Sequence, residues 1–144
     1  MRRSEFRVQY TMPIQWGDMD AIGHVNNVTF FRYIETGRVQ YGMALQAAFP
    51  DIAWTGVVGD IQCRYHQQLR FPADIDIAVR ISRLGQRSYD FTTGIFLHGS
   101  EELIASSVGR MVCFDHETQR SIPLSPAARA AIFNAGGHVL TQSG

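Results

Sequence analysis

Four stretches of the chain alternate apolar and polar residues, a fifth is almost uniformly apolar, and one long stretch follows a different period. In 6–15, Phe6, Val8, Tyr10, Met12 and Ile14 fall on one side and Arg7, Gln9, Thr11 and Pro13 on the other. A period of two marks a half-buried strand. Pro13 cannot donate to a ladder, so this strand is an edge or is bulged near its end. In 57–67, Ile61, Cys63 and Tyr65 oppose Asp60, Gln62, Arg64 and His66. In 74–83, Ile75, Ile77, Val79 and Ile81 oppose Asp74, Asp76, Arg80 and Ser82, the clearest alternation in the chain. Gly85-Gln86 signals a short hairpin, and 88–97 returns with Tyr89, Phe91, Thr93, Ile95 and Leu97 on one face. The run 103–114 is apolar or small apart from Arg110, which predicts burial on both faces.

Between the first and second strands the spacing lengthens. Phe30, Phe31, Ile34, the stem of Arg38, Tyr41, Leu45 and Ala48 recur every three or four positions, one face of a helix that ends before Pro50. Asn26 or Asn27 suits its N-cap, because a side-chain oxygen there accepts a free N–H of the first turn. Gly37 and Gly42 each cost this helix about 1 kcal/mol against Ala, which predicts close packing of a sheet or a partner helix on their side. After a turn-rich loop over 115–126, Ser125 as cap and Pro126 in first place start a short helix, which Ala135-Gly136-Gly137 ends. Strand, long helix, four strands in meander and a short helix make an α+β chain. One helix with five antiparallel strands is buried most efficiently when the sheet curves around it. A single such layer leaves the sheet's second face and an edge uncovered, which predicts a homodimer, or a homotetramer, in which sheets join.

Bulk properties narrow the picture. A chain of 144 residues is one domain with room for a core, with 1–5 and 136–144 expected to fray. Thirteen basic and thirteen acidic residues cancel, which argues against a nucleic acid or an anionic membrane as partner. No apolar run reaches the length of a membrane span and none follows Arg2 and Arg3 as a secretory signal requires, so a cytoplasmic location is expected. Cys63 and Cys113 sit apart in strand-like runs and read as free thiols rather than as a metal or disulfide framework.

The chemistry-bearing residues crowd into 15–38. Asp18 and Asp20 precede the turn Ala21-Ile22-Gly23, then come His24-Val25-Asn26-Asn27 and the helix start. Helix N-termini carry unpaired N–H groups and partial positive charge, and so favour an oxyanion. This segment resembles the active-site signature of hotdog-fold acyl-CoA thioesterases of the 4-hydroxybenzoyl-CoA thioesterase-like group. Trp16, Asp18, Asp20, Gly23, His24, Val25, Asn26, Asn27, Tyr33, Glu35 and Arg38 fit that pattern as they stand. The resemblance implies a hotdog fold, in which the five-stranded antiparallel sheet wraps the central helix, and an acyl-CoA substrate cleaved to free acid and CoA.

Under the resemblance, Asp20 attacks the thioester carbonyl or activates a water as general base, and the Asn27 N–H polarises the carbonyl. His24 orients the carboxylate, holds water or touches the pantetheine arm. From the residues alone, Asp20 equally caps a turn before Gly23, Asn27 serves only as a helix cap, and His24 is satisfied by turn backbone. Asp18, the rival carboxylate, is placed facing away at the strand's end. Trp16, Gly23, Val25, Asn26 and Phe30 are substrate-binding candidates, and family analogy adds Asp60 and Gln62 as a facing wall across an interface. Glu35 and Arg38 read as a structural ion pair. Asp18, Asp20 and His24 lack a second histidine at helical spacing, so no metal is expected. No bound cofactor is expected either, CoA being part of the substrate. Arg64, Arg70, Arg83 and Arg87 are available for its phosphates. A thioesterase acting on carrier-protein thioesters and a non-catalytic acyl-CoA-binding hotdog domain remain the alternatives.

Overall fold

A computed structural model describes residues 1–135. Its order is β1 (Val8–Pro13), α1 (Asn27–Ala48), β2 (Val57–Tyr65), β3 (Asp74–Leu84), β4 (Ser88–Leu97), β5 (Leu103–Val112), a two-rung hairpin β6 (Phe114–Asp115) and β7 (Arg120–Ser121), then α2 (Pro126–Asn134). Among the described residues no helix is long and apolar enough to cross a membrane.

The five long strands form one antiparallel sheet in the order β1-β3-β4-β5-β2. Only β3, β4 and β5 form a meander. The expected four-strand meander is corrected, because β2 pairs with β5 and occupies the edge opposite β1. Pro13 lies on the other edge strand, where its missing donor costs no ladder bond. The sheet wraps α1, the hotdog arrangement expected from the pattern. Ile75, Ile77, Val79 and Ile81 of β3 meet Phe30, Tyr33, Ile34, Tyr41 and Leu45 of α1, all buried. Gly37 makes the approach possible, since a Cβ there would overlap Ile77 Cγ2 and come within 3.0 Å of Val79 Cγ2. Gly42 has nothing within 4 Å of the same construction, so within this chain the expected packing of a sheet is seen at Gly37 and not at Gly42.

The opposite sheet face is built differently at its two ends. Phe6 packs edge-on against Phe96, with Ala78 and Leu103 beside them. Within residues 1–5, expected to fray, Arg3 lies against this face: it donates to Asp76 Oδ2 at 2.5 Å and sits over the Phe96 ring. Asp76, which alternation assigns to solvent, is therefore only 4% exposed, with Thr11 Oγ1 donating at 2.6 Å and His98 Nδ1 2.9 Å away. Asp90 is held similarly by Arg83 Nε at 2.7 Å and Arg110 Nε at 2.8 Å. Burial raises both carboxyls, but the combined donors outweigh it and hold each at about 2. Toward β2 the same face opens. Val108 is 51% exposed and Arg110 is exposed, so β5 is not buried on both faces as its composition predicts. The frayed tail expected at 136–144 lies outside the described residues.

Candidate active site

The site is the junction between the end of β1 and the start of α1. A single 3₁₀ turn, Trp16–Asp18, closes with a reciprocal box in which Gln15 N donates to Asp18 Oδ2 at 2.8 Å. The chain then doubles back: Asp20 N donates to His24 O, Gly23 N to Asp20 O, and Met19 pairs with Val25. Gly23 has φ of +88°, a conformation that costs glycine little and a branched residue much. Val25 is buried, and its N–H donates to Leu69 O at 2.8 Å, which ties this loop to the segment after β2.

Asn26 is the N-cap, its Oδ1 accepting from Val28 N at 2.8 Å. Its Nδ2 donates to Asp20 Oδ2 at 3.2 Å, while Asp20 Oδ1 accepts from Ile22 N at 2.9 Å. The turn-capping role and the position beside the helix tip thus belong to the same Asp20 side chain, which is exposed. Among the described residues the Asn27 N–H makes no hydrogen bond. An exposed carboxylate and an unpaired amide flank one side chain at the positive end of a helix about 33 Å long. An oxygen nucleophile or base next to an oxyanion donor is the minimum set for acyl transfer.

Asp18 does not face away. Tyr33, 1% exposed, donates its hydroxyl to Asp18 Oδ2 at 2.7 Å, and Asp18 O accepts from Asn26 N at 3.0 Å. Burial, reinforced by the hydrogen bond to the Asp18 carboxylate, pushes the Tyr33 phenol far up. Asp18 is thus a structural brace under the loop. Of the roles open to His24, orienting Asp20 is not seen, because its side chain meets Arg70, with Arg70 Nη2 2.8 Å from Nε2. A guanidinium nitrogen only donates, so Nε2 accepts and Nδ1 carries the imidazole proton. Phe30 is core, edge-on to Tyr33 and Tyr65, while Trp16 stands 72% exposed. Asp60 and Gln62 are exposed on the sheet face turned away from α1, and the structure does not bring them to the site of this chain. Glu35 and Arg38 lie 3.6 Å apart, a loose surface pair.

Of two further contributors, Tyr65 was not singled out from sequence and Arg70 was named only as one of four arginines available for phosphate. Tyr65, at the end of β2, donates to Asn27 O at 2.9 Å and so grips the first helical residue. Its alternation with Ile61 and Cys63 was the available signal. Arg70 carried none beyond its charge. Both line an open groove of about 690 Å³ that also touches Leu69, Pro72 and Ile104. Of the other arginines considered for phosphate, Arg83 is held by Asp90, Arg87 by Ser121 O, and Arg64 is on the outer face. Among the described residues no group of three or more His, Cys, Asp or Glu side chains is placed to hold a metal ion.

A family model described as the thioesterase-like superfamily matches residues 14–132, most of the chain and all of this junction. The chain belongs to the thioesterase-like superfamily. Among solved structures, this thioesterase-like chain resembles a thioesterase of Thermus thermophilus complexed with coenzyme A and Zn. The two are 27% identical with a TM-score of 0.76, over 88% of this chain and 98% of that one. The PA5185 protein of Pseudomonas aeruginosa PAO1 shares the fold, with a TM-score of 0.82 at 24% identity over 96% and 98% of the two chains. The uncharacterized protein YsmA of Bacillus subtilis is 29% identical over 86 residues, which span 60% of this chain and 58% of that protein.

Proposed function

We propose that the chain is an acyl-CoA thioesterase of the 4-hydroxybenzoyl-CoA thioesterase-like kind, with Asp20 as nucleophile or general base and the Asn27 N–H as oxyanion donor. One observation carries this reading: the Asp20 carboxylate is tied through Asn26 to the first turn of α1, whose Asn27 N–H has no partner among the described residues. The thioester carbonyl accepts that N–H, which stabilises charge developing on its oxygen. One such donor lowers a barrier by about 2.7–4 kcal/mol. On the direct route water attacks the carbonyl carbon, Asp20 takes its proton, and the C–S bond breaks as the thiolate leaves and recovers that proton. On the covalent route Asp20 attacks, the thiolate leaves as the acyl-Asp20 anhydride forms, and water then hydrolyses the anhydride. The products are the acid and CoA thiol, and every atom comes from substrate and water, with CoA as part of the substrate. In this reading the pantetheine arm leaves the site past His24 along the open groove lined by Tyr65 and Arg70.

The exposure of Asp20 in one chain is a reason to place a second copy here. β2 is a nine-residue edge strand with an unpaired side, and an uncovered edge of that length favours pairing. The working unit in this reading is a homodimer, or a homotetramer built from dimers. Released thiol, followed with a panel of short, long and aromatic acyl-CoA thioesters and their carrier-protein counterparts, tests the proposal. Asp20→Asn and Asp20→Ala are expected to lower turnover by orders of magnitude with the unfolding midpoint retained. Near-normal turnover by Asp20→Ala on the best substrate refutes the assignment.

A further inference from the structure

Asn26 does two things with one planar group. Its Oδ1 caps α1 by accepting from Val28 N at 2.8 Å, and its Nδ2 donates to Asp20 Oδ2 at 3.2 Å. The two atoms are fixed relative to one another by the amide, so the position of the carboxylate and the position of the first helical turn are not independent. The Asn27 N–H lies in the short backbone link between the cap and Val28. The rest of the junction holds Asn26 itself in place: its N–H donates to Asp18 O at 3.0 Å, and Asp18 is braced by the buried Tyr33 hydroxyl. The other bond to the carboxylate comes from Ile22 N, two residues on in the same turn and outside the helix.

We propose that Asn26 is the positioning residue of this site, its side-chain amide setting where the Asp20 carboxylate stands relative to the Asn27 N–H. The inference rests on the thioesterase reading above and changes the expected part of Asn26 from contact with substrate to registration of two reacting groups. A cap alone needs only an acceptor oxygen, and Ser and Asp supply one as well as Asn. Registration needs a donor aimed at Asp20. That difference separates the two roles by substitution. Asn26→Ser keeps a capping oxygen but is too short to reach Asp20. Asn26→Asp keeps the cap and turns a second carboxylate toward Asp20 Oδ2. The other charged or titratable groups around Asp20 are Asp18, behind the Asn26 backbone, and His24 with Arg70 against it, and neither variant alters them.

The experiment is steady-state thiol release by both full-length variants across pH, with urea unfolding of each. Asn26→Ser is expected to lower kcat about 10- to 100-fold with KM little changed, the size of a hydrogen bond to a charged group. Asn26→Asp is expected to move the acid limb of kcat/KM upward by about one pH unit or more, because a neighbouring carboxylate disfavours the ionised form. Both are expected to unfold near the wild-type midpoint. Wild-type kcat and an unmoved pH limb in the two variants overturn the inference and leave Asn26 a helix cap. Failure of both to fold also overturns it, since a capping oxygen would then not satisfy the fold. If one fails, the other decides. Asp20→Asn run alongside separates the levels: if it stays active the thioesterase assignment of Asp20 falls, and if it is dead while the Asn26 variants behave as wild type only this inference falls.

Discussion

Gly37 and Gly42 occupy the same helix and invite the same substitution, yet the structure sets the two changes apart. Replacing either by Ala removes backbone freedom from the unfolded chain and improves helix propensity by about 1 kcal/mol. At Gly42 nothing lies within 4 Å of the added Cβ, so Gly42→Ala is expected to stabilise by about that amount. At Gly37 the methyl overlaps Ile77 Cγ2 and meets Val79 Cγ2 at 3.0 Å. Ile77 and Val79 are 1% and 2% exposed, on a central strand paired on both sides, so neither can swing away. Overpacking of this kind costs about 1–3 kcal/mol. The propensity gain is common to both variants, so it cancels in their comparison, and Gly37→Ala should be less stable than Gly42→Ala by about 1–3 kcal/mol. For a chain of this length that is roughly 3–12 °C in melting midpoint. The assay is urea and thermal unfolding of both variants and the wild type at one protein concentration, because self-association would make midpoints concentration-dependent. Equal stability of the two, or a more stable Gly37→Ala, would refute the claim that α1 sits on β3 at glycine distance. The same contact sets how deeply the helix start sits over the sheet, so Gly37→Ala is also expected to lower turnover, and Gly42→Ala is not.

Tyr33→Phe deletes the donor to Asp18 Oδ2 from a buried ring and leaves that oxygen with Gln15 N alone; a loss of about 1–3 kcal/mol is expected in urea unfolding, and wild-type stability would show that the brace contributes nothing. Acid should unfold the protein through Asp76 and Asp90, whose carboxyls are lowered from 3.8 to about 2 in the folded state. Each then contributes stability that is complete above about pH 4 and is lost as pH falls toward 2, on the order of 2 kcal/mol apiece. Asp76→Asn should be less stable than wild type at pH 7 and lose less between pH 4 and pH 2; a wild-type unfolding free energy that stays flat over that range contradicts the assignment.

The period of two and the period of 3.6 determined, without coordinates, five strands, a long helix and a short one, and the face that the central elements bury. Those features are local, because they follow from which side of a strand or helix is apolar. Ile75, Ile77, Val79 and Ile81 of β3 and Phe30, Ile34, Tyr41 and Leu45 of α1 lie in the core where their spacing put them. The helix cap and the crowding of Asp20, His24, Asn26 and Asn27 into one loop are likewise local. Pairing is not local. Nothing in 57–65 states that β2 joins β5 rather than β3, because alternation fixes a strand's faces and not its neighbours. Burial by a distant segment is not local either: Asp76 alternates as a solvent residue and is enclosed because Arg3 crosses the sheet to reach it while Thr11 of β1 and His98, just past β4, close on it. The surroundings of the two acids were settled in the same way. The resemblance favoured Asp20 and turned Asp18 away, and the fold keeps both at the junction but separates them by placing the Tyr33 hydroxyl under one and the Asn26 amide beside the other.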